Sequence, residues 1–164
     1  LSMLDMGCGD GISSAWLASR GHTVTAVDVN AFAVEACRQT LAANQLTGSV
    51  CESDVYRALG DARFDLIVSN PPYLPDADRE DVQPEVTHDP ELALYGGPDG
   101  LDLARRLAAQ ATGVLVPGGR LLLELDPRNA PAFAAELRAQ GWTADTAADL
   151  TGRERFVVAQ WARR

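Results

Sequence analysis

Phe64-Asp65-Leu66-Ile67-Val68-Ser69-Asn70-Pro71-Pro72-Tyr73 is the stretch on which the reading of this chain turns. Its first six residues form an Ile/Val/Leu-rich run with the length and composition of a buried parallel strand. Neither proline can donate a ladder hydrogen bond, so the strand stops at Asn70 and delivers an amide and an aromatic ring to its own carboxyl end. In open α/β sheets ligands bind at that edge. Asn70 offers one neutral acceptor oxygen beside one donor group, and Pro71 supplies a stiff carbonyl with no competing N–H. Together they can accept both hydrogens of a planar NH2 group. The plainer alternative is a turn, because Asn-Pro starts loops and Pro-Pro spaces them.

The amino-terminal end narrows the choice. Leu1 to Met6 is a short apolar strand pattern, followed at once by Gly7-Cys8-Gly9-Asp10-Gly11 and then a helical stretch from Ile12 to Arg20. Glycines there permit a tight turn and let backbone N–H groups approach a ligand at a helix N-terminus. The spacing is G-x-G-x-G rather than G-x-G-x-x-G, so the loop alone reads equally as a strand-to-helix turn. A second strand, His22 to Val27, ends in Asp28, roughly twenty residues past the glycines, the offset at which an acidic side chain meets ribose hydroxyls. A third, Ser49 to Ser53, ends in Asp54-Val55, placed to meet an adenine amino group and ring nitrogen. Singly, Asp28 and Asp54 read as helix caps. Three consecutive strands ending in polar, ligand-type residues point instead to a nucleoside-bearing cofactor.

Strand and helix patterns alternate along the chain: β at 1–6, 22–28, 49–53, 64–69 and 120–126; α at 12–20, 31–46, 99–113 and 129–140; then two strands near 142–149 and 154–162. That alternation predicts a doubly wound, mostly parallel sheet in one domain, closed by an antiparallel hairpin turning at Thr151-Gly152. Gly118-Gly119 marks a further turn. Helical spacing assigns Phe32 and Leu41 to the core. Leu74 to Gly97 has little periodicity, is rich in Asp and Glu, and follows Asn70 directly. Its reading is a substrate-facing lid, with a floppy insertion as the alternative. His88, alone within it, is left unassigned.

Composition excludes several classes. With 164 residues and 46% hydrophobic content the chain has the size of one ordinary domain with a substantial core. No run approaches the roughly 20 apolar residues that span a bilayer, and no signal-peptide pattern opens the sequence, so no membrane partner is expected. Three cysteines, Cys8, Cys37 and Cys51, form no C-x-x-C. They suit a reducing, cytoplasmic location, with Cys8 filling a small space in the glycine loop and the other two buried. Two histidines make a zinc site a poor reading, and no metal is expected. A net charge of −9, without a Lys/Arg-rich stripe, argues against a nucleic-acid substrate and favours a basic protein partner.

Together, Asp5-Met6-Gly7-Cys8-Gly9-Asp10-Gly11, Asp28, Asp54 and Ser69-Asn70-Pro71-Pro72-Tyr73 resemble the seven-stranded, S-adenosylmethionine-dependent methyltransferases that act on amino groups. Asp89-Pro90-Glu91-Leu92-Ala93-Leu94-Tyr95-Gly96-Gly97-Pro98-Asp99-Gly100-Leu101-Asp102 resembles, more narrowly, the peptide-release-factor glutamine N5-methyltransferases of the HemK/PrmC type. Pro117 to Glu124 and Asp149 to Phe156 do the same. The resemblance implies S-adenosyl-L-methionine as cofactor, held by Asp5, Gly7, Gly9, Gly11, Asp28, Asp54, Val55 and Asn70. It implies catalysis by Asn70, Pro71 and Tyr73, and a release factor as protein substrate. Members of that family carry a helical domain ahead of the core, whereas residue 1 here is already inside the first strand, so such a domain is expected to be missing from residues 1–164. The chain also departs from the family pattern at Asp89-Pro90, where Glu-Pro is usual, and at Asp126-Pro127-Arg128-Asn129, where a Gln is usual.

The leading reading is therefore protein-glutamine methylation. An adenine-N6 methyltransferase on DNA or RNA would use the same Asn on the exocyclic amine of a flipped base. A non-catalytic cofactor-binding module is the third reading, and retention of the full Asn-Pro-Pro-Tyr set counts against it. Oligomeric state is open, with a monomer as the expectation.

Overall fold

A computed structural model describes residues 1–80 and 94–161. Seven strands, β1 (Ser2–Met6), β2 (Thr23–Asp28), β3 (Ser49–Glu52), β4 (Phe64–Ser69), β5 (Leu115–Glu124), β6 (Trp142–Ala148) and β7 (Glu154–Trp161), form one sheet in the order β3-β2-β1-β4-β5-β7-β6. All pairings from β3 through to β5 are parallel, and β7 inserts antiparallel between β5 and β6. The helices are α1 (Ile12–Ser19), α2 (Ala31–Ala43), α3 (Asp102–Ala111) and α4 (Ala130–Ala139), with a 3₁₀ turn at Asp76–Glu80. This is the expected seven-stranded α/β sheet with its terminal hairpin.

Strand alternation sorts the core into two layers. Met3 and Val24 pack with Leu17 of α1, joined by half-buried Leu66 and Val68, while Ala26 meets Cys37 and Leu41 of α2. Leu4, Val27, Ile67, Leu121 and Leu123 point to the other face, onto Leu107 of α3 and Phe133 and Leu137 of α4. Phe133 is fully buried there, and truncating such a ring costs about 3–5 kcal/mol. The chain runs from β1 outward to β3 and then returns to place β4 on the other flank of β1. That reversal makes the carboxyl ends of β1 and β4 the sheet's switch point, the edge at which ligands bind in open α/β sheets.

Several boundaries and placements differ from expectation. The third strand stops at Glu52, and β5 begins at Leu115 rather than at 120. Leu115 pairs with Phe64 and Arg120 with Leu66, so Val116 to Gly119 form an irregularity within the strand, with Gly118 at φ 80°. Helix α3 starts only at Asp102, because the glycine-containing turn before it is held in another conformation. Phe32 is not core: it is 87% exposed. The buried stripe of α2 is Val34, Cys37 and Leu41, and two residues of helix place Phe32 about 200° away from Val34. Cys51 is half-buried rather than buried, since β3 is an edge strand. Most of the segment read as a lid, with His88, lies outside the described residues. No helix among the described residues is long and apolar enough to cross a membrane.

Candidate active site

The turn from β1 into α1 is stitched to the end of β2. The Val27 carbonyl accepts from Gly7 and Cys8 N–H at 2.8 and 3.0 Å, and Asp28 Oδ2 accepts from Gly9 N–H at 3.0 Å. Gly9 has φ 51°, a conformation costly for any residue with a Cβ, yet a Cβ there would meet nothing within 4 Å. The loop therefore needs glycine for its shape and leaves its outer surface open to a ligand. Gly11 is constrained by packing: a Cβ would stand 2.7 Å from Cys37 Cα. It lets α1 and α2 approach closely. Asp28 is not the cap of α2, a role filled by Asn30, whose side chain accepts from Phe32 N–H.

Asp5 is buried at 4% exposure beneath this loop and accepts a 2.5 Å hydrogen bond from Ser14 Oγ on α1. Burial is the larger influence on its carboxyl and pushes the pKa above the usual value, the Ser14 hydrogen bond opposing and Asp28 reinforcing the shift. A buried carboxylate so placed is poised to gain from a cation arriving at the loop. Cys8 fills the interior of the loop against Cys37, and burial holds its thiol far above the ordinary range. It is a space-filling group with no thiolate to offer.

At the end of β3, Ser53 organises the chain. Its N–H donates to the Asp28 carbonyl (2.9 Å), and its Oγ both donates to the Val55 carbonyl (2.7 Å) and accepts from Ala58 N–H (3.1 Å). These bonds hold Val55 at φ 54°, a left-handed conformation that a β-branched residue adopts only under constraint. The Asp54 carboxylate meets Arg106 of α3 at 2.6 Å, which lowers its pKa, with Oδ2 taken by the guanidinium.

One strand away from the glycine loop, Ser69 pairs with Met6 across β4 and β1. Its hydroxyl donates to the Met6 carbonyl at 2.7 Å, tying the strand end that carries Asn70 to the strand end that carries the glycines. Asn70 is exposed and Pro71, next to it, is buried. Tyr73 is half-buried against the main core. Its phenol group interacts with Arg155 of β7, which donates to Asp149 (3.3 Å) and lies 3.8 Å from Glu124. Burial works against the Arg155 charge, and Asp149, Tyr73 and Glu124 outweigh it, so its pKa is raised.

The structure thus gathers Asp5, Gly7, Gly9, Gly11, Asp28 and Asn70 around the ends of three adjacent strands, with Pro71 and Tyr73 behind Asn70. Asp54 and Val55 stand at the end of the fourth strand of this edge, β3, the Asp54 carboxylate turned toward Arg106. Sequence reasoning missed Ser14, Ser53, Ser69 and Arg155. The three serines are buried, and a polar residue within or next to an apolar strand or helix stripe was the available signal. Arg155 lies within the Asp149 to Phe156 motif, yet nothing local announced its approach to Tyr73, which depends on β7 inserting next to β5.

Comparisons with known proteins agree with the fold. The fold is that of a Pyrococcus furiosus methyltransferase (TM-score 0.73, 22% identity, 97% of this chain and 73% of that one). It is also that of the T. thermophilus 16S rRNA N2 G1207 methyltransferase, solved with AdoMet and guanosine (TM-score 0.65, 25% identity, 99% of this chain and 37% of that one). The model of the methyltransferase small domain matches residues 1–132, and the chain belongs to that family. In sequence it is 53% identical over 162 residues to a release factor glutamine methyltransferase of Deinococcus radiodurans, covering 98% of this chain and 58% of that protein.

Proposed function

We propose that this chain is the catalytic core of an S-adenosyl-L-methionine-dependent enzyme that methylates the side-chain amide nitrogen of a protein glutamine. The substrate is the Gly-Gly-Gln loop of a peptide chain release factor. The observation that carries this reading is the pairing of β1 and β4, which sets the glycine loop and the Asn70-Pro71 pair one strand apart at the switch point. Neighbouring strands lie about 4.8 Å apart, so a cofactor held on one strand end and an amide held on the next would be immediate neighbours.

The residues present fit the cofactor. The open glycine turn can take its backbone, Asp5 its ammonium group, Asp28 the ribose hydroxyls, and Asp54 with Val55 the adenine. When bound, S-adenosyl-L-methionine supplies a methyl group on a sulfonium, a strong electrophile. The protein's task is then to prepare the nitrogen. An amide lone pair is delocalised into its carbonyl, so it must be turned toward the methyl carbon. Asn70 Oδ1 and the Pro71 carbonyl accept the two N–H groups, fix the nitrogen's orientation, and favour the positive charge that grows on it. Tyr73 walls the pocket and stacks on the planar amide. Release of one N–H proton to solvent completes the reaction.

A second reading rests on the 25% identity to the rRNA enzyme, whose structure holds guanosine: the same pair would hold the exocyclic amine of a nucleobase. The net charge of −9 weighs against a polyanionic substrate. Labelled cofactor offered to release factor, to RNA and DNA oligonucleotides and to buffer decides between them. Because this chain spans 58% of the length of the Deinococcus relative, the assay includes a longer form extended to that relative's full length. Mass spectrometry of the tryptic Gly-Gly-Gln peptide should show one added methyl on the glutamine. Label on oligonucleotide with none on release factor would overturn the reading.

A further inference from the structure

Behind Asn70-Pro71-Pro72-Tyr73 lies a turn, residues 95–102, that the mechanism above does not use. It is laid directly on the main chain of the amide site. Leu74 and Tyr95 form a parallel bridge, Leu74 N–H donates to the Leu94 carbonyl (3.0 Å), Gly96 N–H to the Leu74 carbonyl (2.9 Å), and Asp76 N–H to the Gly97 carbonyl (2.9 Å). Gly96 and Gly100 are both buried. A Cβ on Gly96 would stand 2.5 Å from the carbonyl oxygens of both Pro72 and Gly100, and a Cβ on Gly100 would overlap the Tyr73 carbonyl oxygen. These neighbours are backbone atoms, unable to swing aside.

The turn is also anchored from outside. Asp102 N–H donates to the Gly96 carbonyl (2.9 Å), Asn129 Nδ2 to the Asp99 carbonyl (2.8 Å), and Arg105 bridges Asp99 (2.7 Å) and Glu136 of α4 (2.8 Å). The site's backbone is therefore gripped between β4 on one side and a clamped turn on the other.

We propose that Gly96 and Gly100 are positioning residues for the amide site. Their lack of side chains lets the turn seat against Pro72 and Tyr73, and that seating sets where the Pro71 carbonyl and the Asn70 amide stand. The inference rests on the methyltransferase reading for its kinetic arm and on geometry alone for its structural arm.

The test compares Gly96→Ala with Gly152→Ala, a control at φ 83° whose Cβ would meet nothing within 4 Å. Gly96 has no positive φ, so its variant adds a contact without backbone strain, whereas the control adds strain without a contact. Gly96→Ala should lower kcat on release factor about 10- to 100-fold with cofactor Kd within about 2-fold, since small displacements of positioning groups are costly to turnover. Gly152→Ala should lose thermal stability and keep kcat. In 15N spectra, Gly96→Ala should move the Asn70 side-chain amide and the Tyr73 and Leu74 backbone signals, and Gly152→Ala should not. If Gly96→Ala does not fold, Asp99→Ala removes the Arg105 bridge to the turn without adding atoms and should shift the same signals. Native kcat, or unmoved signals at residues 70–74 in the variant that folds, would overturn the proposal. Unmethylated release factor with wild-type protein would fell the functional reading alone, and the spectra would still decide the role of the turn.

Discussion

The carboxylate of Asp28 holds the N–H of Gly9 at 3.0 Å and the N–H of Asn30 at 2.9 Å, so one side chain at the end of β2 shapes the glycine loop and starts the approach to α2. Two of its lone pairs remain for a ligand. Asp28→Ala should weaken cofactor binding by about 1–3 kcal/mol, through loss of charge-assisted hydrogen bonds and slackening of the loop. Gly9→Val should abolish binding, because a β-branched residue cannot hold φ 51° without strain. Calorimetry showing native affinity in both variants would remove the glycine loop from the cofactor site.

Asp5 gives a pH signature. Its pKa is raised in the folded protein, so between the ordinary value of 3.8 and its folded value the native state carries more protons than the unfolded chain. Stability contributed by the protonated form is present below 3.8 and is lost as pH rises through the folded value. Asp5→Asn keeps an acceptor for Ser14 Oγ and removes the buried charge, and should raise Tm at pH 7. The bound ammonium reverses the preference, since it favours the carboxylate. Cofactor affinity should therefore rise with pH until Asp5 in the free protein is ionised, then level off. The same calorimetric series on Asp5→Asn should be flatter and weaker throughout. An unchanged profile would assign Asp5 to loop structure alone.

Asn70→Ala separates binding from chemistry. Asn70 is exposed, so folding and cofactor affinity should stay near native. Turnover should fall about 100-fold or more, the scale expected when a group that orients and stabilises the reacting nitrogen is lost. Single-turnover kinetics with saturating cofactor provide the measurement. Weaker cofactor binding with unchanged turnover would make Asn70 a structural residue.

The sheet was legible because its strands are apolar runs ending in Gly, Asp or Asn-Pro, signals that local chemistry writes at single positions. Phe64 to Ser69 was read to the residue, since Pro71 and Pro72 leave no choice about where the ladder stops. Phe32 was misplaced because its helix carries apolar residues on more than one side, and only the packing of Val34 and Cys37 selects the buried stripe. Within the site, the glycines and Asp28 could be read from spacing along the chain. The Asp54–Arg106 pair and the approach of Gly100 to Tyr73 join residues 52 and 27 positions apart in sequence, and nothing local announces them.

That Asp54–Arg106 pair sets the last prediction. The two side chains are nearly half exposed, at 45% and 47%, so solvent screens the bridge and Arg106→Met should barely change Tm. Arg106 occupies Asp54 Oδ2, leaving Oδ1 to accept an amino group, which is the role proposed for Asp54 toward adenine. S-adenosylhomocysteine carries that amino group, whereas S-inosylhomocysteine has an oxygen in its place and would face the carboxylate with a second acceptor. The wild-type chain should therefore prefer the adenosyl compound about 10-fold or more. Asp54→Ala should weaken the adenosyl compound and leave the inosyl compound nearly unaffected, erasing the preference. Arg106→Met should retain the preference, because Oδ1 is still there. Equal losses for both compounds in Asp54→Ala would mean that the carboxylate supports the β3 loop and does not read the base.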